Sequence, residues 1–248
     1  MKPVYLTVLS KMLEKQTRIC ALVPPSELET PRVLYLLHGN GDDCTSWVEQ
    51  THIARYAEQY KMAVIMPEVE GSYYTDMARG LPYFTYLSRE LPALVQEFLG
   101  LAPAPEETFA AGASMGGYGA LKWVLTCPEQ FAGCASISGS VDIVQRIADL
   151  PEYRFEEFRA IFGKDLKVAP QNDLYHLAMH AAGRGAHLRM LSVCGLDDSF
   201  LQFNRRFSAF METQPYHWLY RENEGGHNWS YWNRELPEVL RFLLGENG

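Results

Sequence analysis

Several absences bound this chain before any motif is read. Positive charge is in deficit: 22 Lys and Arg stand against 30 Asp and Glu, a formal charge of -8 with a pI near 5.4. Such a surface on average repels phosphate, so neither nucleic acid nor an anionic membrane is expected as a partner. No apolar run approaches membrane-spanning length. Met1 to Lys15 has one brief apolar run broken by Lys11 and Lys15, without the longer apolar core and small-residue cleavage site of a secretory signal. Cysteines are few, and Cys20, Cys44, Cys127, Cys134 and Cys194 are odd in number with no Cys-x-x-Cys pair, which suits reduced thiols in a cytoplasm. A cytoplasmic location is therefore expected.

Signals for metal and nucleotide chemistry are also missing. His176 and His180 share a helical face at i, i+4 spacing, but no acid lies between them as in His-Glu-x-x-His, so a polar stripe on a helix is the expectation. Gly39 and Gly41 are not followed by Gly-Lys-Ser/Thr, which argues against a phosphate cradle. No cofactor and no metal are expected.

What is present is an apolar content of 47% over 248 residues, enough to bury a full core in one domain spanning residues 1–248. Val4 to Ser10 and Thr17 to Val23 read as a hairpin, followed by the Pro24-Pro25 breaker and an exposed linker to Pro31. Beyond it, strand-like runs at Arg32–Leu37, Ala63–Met66, Thr108–Ala113, Phe131–Ser138, His187–Cys194 and His217–Arg221 alternate with helix-like ones. The helices are expected at Ile53–Tyr60, Tyr86–Leu99, Tyr118–Leu125, Leu201–Met211 and between Trp232 and Leu244, with Pro237 obscuring where the last begins. This alternation predicts a mostly parallel sheet covered on both faces, a three-layer α/β/α fold. Between Gly139 and Ala186 it lapses into aromatic, charged, helix-like pieces such as Tyr153–Phe162 and Leu174–Ala182. That segment reads as a small helical cap inserted over the sheet's carboxyl edge, with ordinary extra packing as the alternative.

Gly112-Ala113-Ser114-Met115-Gly116 carries the most chemistry. A strand enters it and a helix leaves it, so it reads as a nucleophile elbow that lifts the Ser114 hydroxyl above the sheet. Side chains two positions either way would collide with neighbouring backbone, and glycine removes both collisions. A serine nucleophile needs a base, and in an α/β-hydrolase the chain order is serine, acid, histidine. Of seven histidines only His227, in Gly225-Gly226-His227-Asn228 after the last strand, fits. Gly195-Leu196-Asp197-Asp198 offers two carboxylates, only one of which can face the imidazole; Asp198 is favoured, with Asp197 as the alternative that local physics barely separates from it. The amides of Asn40 and Met115 are expected to form the oxyanion hole, and His38 to tie down its loop through its ring.

The segments Leu36-Leu37-His38-Gly39, Gly71-Ser72-Tyr73-Tyr74-Thr75-Asp76, Ser114-Met115-Gly116-Gly117-Tyr118-Gly119, Cys194-Gly195-Leu196-Asp197-Asp198 and Gly226-His227-Asn228-Trp229 resemble the tributyrin esterase and esterase D branch of the α/β-hydrolases, over nearly the whole chain. The resemblance implies a cofactor-free serine carboxylesterase of short acyl chains acting on a small-molecule ester, with feruloyl or acetyl carbohydrate esters and S-formylglutathione as alternatives. It also favours Asp198, because relatives carry their acid at the third position after that glycine, and by analogy it implies a homo-oligomer. One departure is that Cys44 lies several residues past the place where S-formylglutathione hydrolases of this branch carry a cysteine, so simple esters rank first. An acyltransferase using the same acyl-enzyme and a catalytically silent binding module are the readings from other classes. Tyr73, Tyr74, Trp47, Trp229 and Trp232 could line a pocket or the core equally well.

Overall fold

A computed structural model describes residues 1–25 and 31–245; the linker expected before Pro31 falls on 26–30, outside the described residues. Strand β1 (Pro3–Ser10) pairs antiparallel with β2 (Lys15–Leu22), from Pro3 opposite Leu22 to Ser10 opposite Lys15. β2 in turn runs antiparallel to β4 (Ala63–Pro67). From there the sheet is parallel through β3 (Val33–Leu37), β5 (Thr108–Ala113), β6 (Gly133–Ile137), β7 (Arg189–Gly195) and β8 (His217–Asn223). The spatial order is β1-β2-β4-β3-β5-β6-β7-β8.

β3, β4, β5 and β6 are buried along their whole length. This is why they read as unbroken apolar runs, since each face of a parallel strand must meet a helix layer. The two-residue strand period divides them cleanly. Val33, Tyr35 and Leu37 belong to one core, and Leu34 and Leu36 to the other. Against the second core lie α1 (Ser46–Gln50), α2 (Ile53–Gln59) and α10 (Trp229–Leu244). Against the first lie α4 (Leu91–Leu99), α5 (Met115–Thr126), α8 (Leu174–Gly185) and α9 (Leu201–Met211). The result is the three-layer α/β-hydrolase fold.

The helix expected from Tyr86 begins earlier, with the short turn α3 (Tyr83–Thr85), and passes through a π turn at Tyr86–Glu90 before α4. The last helix starts at Trp229, where the Asn228 side chain accepts the Tyr231 amide at 3.0 Å, and it runs through Pro237 to Leu244. A side-chain cap satisfying an orphan amide fixes the start, and packing of Leu236, Val239 and Leu240 outweighs the one internal bond that proline removes.

The 139–186 segment has two parts. α8 is the crossover that brings the chain from β6 back to parallel β7, packed on α5 and α9. The rest, with α6 (Ile143–Ala148) and α7 (Phe155–Phe162), lies at the carboxyl end of the sheet. There the amides of Ala78 and Arg79 donate to Ile161 and Ala160 at 3.0 and 2.9 Å.

Candidate active site

Ser114 sits between β5 and α5 with φ 56° and ψ -118°, a conformation a side chain adopts only when its surroundings force it. The forcing contacts come from the flanking glycines. A Cβ on Gly112 would lie 2.4 Å from the Gly116 carbonyl carbon and oxygen, and one on Gly116 would lie 2.1 Å from the Leu37 carbonyl oxygen. The turn is pinned on both sides by the Ser114 amide donating to Ile137 and the Ser140 amide donating to Ser114, each at 3.0 Å.

The loops after β7 and β8 meet above this turn. A Cβ on Gly195 would come 2.2 Å from the Gly225 carbonyl oxygen, so the two loops can approach only through glycine. They bring His227 Nε2 to 2.9 Å from Ser114 Oγ, and His227 Nδ1 to 3.0 Å from each carboxylate oxygen of Asp198. A carboxylate can only accept, so Nδ1 carries the proton and Nε2 is left to accept from the serine hydroxyl. The Asp198 side chain is fully buried and the imidazole about one quarter exposed. Burial pushes the Asp198 carboxyl up, but the His227 ring and the Phe200 amide, 2.8 Å away, outweigh it and hold the group below the usual carboxylate range. Asp197 is exposed, its amide donating to Gly225 at 2.9 Å.

The loop after β3 runs beside Ser114: a Cβ on Gly39 would sit 3.6 Å from that of Ser114. The Asp42 amide donates to the Gly39 carbonyl, and the Asn40 side chain donates to Glu157 of α7 at 3.1 Å. Met115 is the first residue of α5, and its amide has no acceptor within the helix. His38 is buried. Its Nδ1 donates to its neighbour's carbonyl, that of Gly39, at 2.9 Å, and its Nε2 accepts from the Val69 amide at 3.3 Å.

The aromatic residues divide between core and site. Trp47 is buried, donates to the Leu37 carbonyl and meets Trp229 edge-on at 5.0 Å. Trp232 and Phe200 both pack edge-on against the His227 ring, at 5.2 and 4.8 Å. Tyr73 packs on Phe158 and Phe162 of α7. His176 and His180 stack on each other at 3.8 Å, and His180 Nδ1 donates to the His176 carbonyl. Among the described residues, Asp43, Cys44 and Glu68 are the one group with donor atoms close enough to share a metal ion. Their carboxylates are already engaged by Arg18, Thr45 and the Cys44 amide, and burial pushes the Cys44 thiol up to about 12.

Sequence reasoning missed the buried links beneath the site. Lys122 on α5 is fully buried, and its Nζ donates to the Tyr74 carbonyl at 2.8 Å and to Asn172 Oδ1 at 2.7 Å, over the Phe84 ring at 4.4 Å. A lysine in a helix ordinarily signals a wet face. The available clue was that the remainder of α5 is apolar or glycine almost all round.

The family model Esterase, described as "Putative esterase", matches residues 10–243. An acetyl esterase from Caldicellulosiruptor saccharolyticus is 30% identical over 254 residues, covering 94% of this chain and 95% of its own length. Among solved structures, the Staphylococcus aureus fluorophosphonate-binding serine hydrolase FphF is 28% identical with a TM-score of 0.89, and each chain is covered to 98%. The S-formylglutathione hydrolase FrmB of Staphylococcus aureus is also 28% identical, with a TM-score of 0.86 over 98% of both chains.

Proposed function

Because this chain belongs to the Esterase family and is a carboxylic ester hydrolase, we propose that it is a serine carboxylesterase of short acyl chains of the tributyrin esterase and esterase D type, with Ser114, His227 and Asp198 as its triad. The observation that carries this reading is the unbroken line of contacts from Ser114 Oγ through both ring nitrogens of His227 to a buried Asp198.

In the first step the Ser114 hydroxyl attacks the ester carbonyl as its proton passes to His227 Nε2. Asp198 keeps the ring in the required tautomer and stabilises the imidazolium. Negative charge gathers on the carbonyl oxygen, where the amides of Met115 and Asn40 would each contribute roughly a hundred- to a thousand-fold in rate. The tetrahedral species collapses as the bond to the alcohol oxygen breaks, and His227 returns its proton to the leaving alcohol. Water then attacks the acyl-serine, giving its proton to the same nitrogen, and the acid departs as Ser114 regains its hydrogen. Packing of Phe200 and Trp232 on the imidazole restricts water around the ring, which strengthens its charge interactions.

A short acyl group is supported by the acetyl esterase relative. The test is a p-nitrophenyl ester series from acetate to decanoate, with methyl ferulate and S-formylglutathione alongside. A maximum between acetate and butyrate is expected. Turnover confined to ferulate or S-formylglutathione would replace this reading by that specialist, and transfer to an added alcohol in place of water would make the protein an acyltransferase.

A further inference from the structure

The cap carries an arginine whose charge meets an aromatic ring but no carboxylate of the described residues. Arg146 lies on α6, half-buried, with its Nε enclosed and without a hydrogen-bond partner. Among the described residues no carboxylate lies within ion-pair distance of it, although twelve of the protein's other arginines make such pairs or donate to backbone. In a chain of net charge -8, a partly desolvated and unpaired guanidinium is costly unless something else meets it.

Its position says what that is. The guanidinium carbon lies 5.3 Å from the centroid of Phe200, and the same ring meets His227 at 4.8 Å. Phe200 is thus a shared wall, with the imidazole on one contact and the arginine on another. A second cation follows along the same wall: Phe203 packs on Phe200 at 5.7 Å, and Arg206 lies 5.3 Å from the Phe203 centroid, held 3.5 Å from Asp142. The acid that could neutralise Arg146 from its own helix turn is therefore drawn to Arg206.

Resting on the serine esterase reading, we propose that Arg146 is a specificity-determining residue that receives a carboxylate carried by the alcohol half of the substrate. The alcohol half is implied because its oxygen must take the proton from His227 Nε2, so the leaving group is the part of the substrate brought beside Phe200. An arginine presents a fork of donors matched to a carboxylate, and the flat ring beneath it suits an aromatic or otherwise planar alcohol.

The test compares 4-acetoxybenzoate with the neutral 4-acetoxybenzamide, which carry a carboxylate or an uncharged amide at the leaving group's far end. Each rate is taken relative to that ester's hydroxide-catalysed hydrolysis, to remove the difference in leaving-group acidity. For the wild type, kcat/KM is expected to favour the carboxylate by about tenfold, and Arg146→Gln to bring the ratio close to one, with Arg146→Lys in between. Binding of 4-acetoxybenzoate to Ser114→Ala, followed by calorimetry, supplies a readout that needs no turnover, and adding Arg146→Gln should weaken it by a similar factor. An equal ratio in wild type and Arg146→Gln overturns the proposal. So does a preference for a carboxylate on the acyl half alone, measured with p-nitrophenyl hemiglutarate against p-nitrophenyl valerate. Failure of the wild type on both acetates with carboxylate binding intact would instead sink the esterase reading, because the arginine would still be selecting its ligand.

Discussion

The Tyr74 hydroxyl donates to the carbonyl oxygen of His38 at 2.9 Å, joining the loop after β4 to the residue that opens the loop of Gly39 and Asn40. Tyr74 is itself held from below, its backbone carbonyl accepting from Lys122 Nζ on the elbow helix at 2.8 Å. The helix that begins at Ser114 and the loop expected to supply the second oxyanion donor are therefore parts of one buried hydrogen-bonded unit.

Tyr74→Phe tests that unit with little change of volume. It should lower kcat by about tenfold with KM nearly constant, since a displaced amide is felt most when charge has formed on the carbonyl oxygen. Steady-state kinetics on p-nitrophenyl acetate decide it. A raised KM with kcat intact would show that the hydroxyl serves substrate binding instead.

Lys122 makes stability depend on pH in the alkaline range. Burial pulls its ammonium down to about 7, against the weaker opposing charge of Asp76, while the unfolded chain keeps the ordinary lysine value. Between those values the unfolded state holds a proton that the folded state has released, so stability should rise with pH from about 7 towards 10, by at most about 1.4 kcal/mol per pH unit. Urea midpoints across this range should climb for the wild type and stay flatter for Lys122→Met. Parallel curves would refute the assignment.

The two adjacent aspartates should separate sharply. Asp198→Asn is expected to lower kcat by about ten-thousand-fold while the protein remains folded, whereas Asp197→Asn should stay within about threefold of the wild type. Because the Asp198 carboxyl is held below the usual range, its ionised form stabilises the fold above the unfolded value, and that contribution disappears as pH falls through the folded one. Comparable losses in the two variants would contradict the triad.

Gly116→Ala tests the elbow's geometry without touching a reacting group. Its Cβ would fall against the backbone of Leu37 and His38, which cannot swing aside, so a loss of about 3 kcal/mol is expected. An unfolding midpoint equal to that of the wild type would mean that the turn is far more plastic than its contacts imply.

Much of this molecule is legible in its sequence because its signals are local. Buried parallel strands must be apolar on both faces, so Val33–Leu37 and Ala63–Pro67 stand out, and the elbow announces itself by glycines that backbone contacts demand. Asp198 and Asp197 were nearly inseparable, since facing His227 or facing solvent is decided by the turn after β7 and not by composition. The π turn at Tyr86–Glu90 depends on how neighbouring layers pack, and the start of the last helix at Trp229 on the Asn228 side chain turning back to cap it. Lys122 and Arg146 were invisible as special residues. The burial of one and the missing partner of the other exist only once distant segments have come together.

The most direct test of the account is Ser114→Ala, assayed on p-nitrophenyl acetate with its fold checked by circular dichroism and its labelling by a fluorophosphonate followed by intact mass. The account predicts an unaltered fold, turnover reduced by on the order of a million-fold and no covalent adduct, against a single adduct on the wild-type serine. Turnover within tenfold of the wild type in the folded variant would contradict it, because the ester bond would then be cleaved without Ser114.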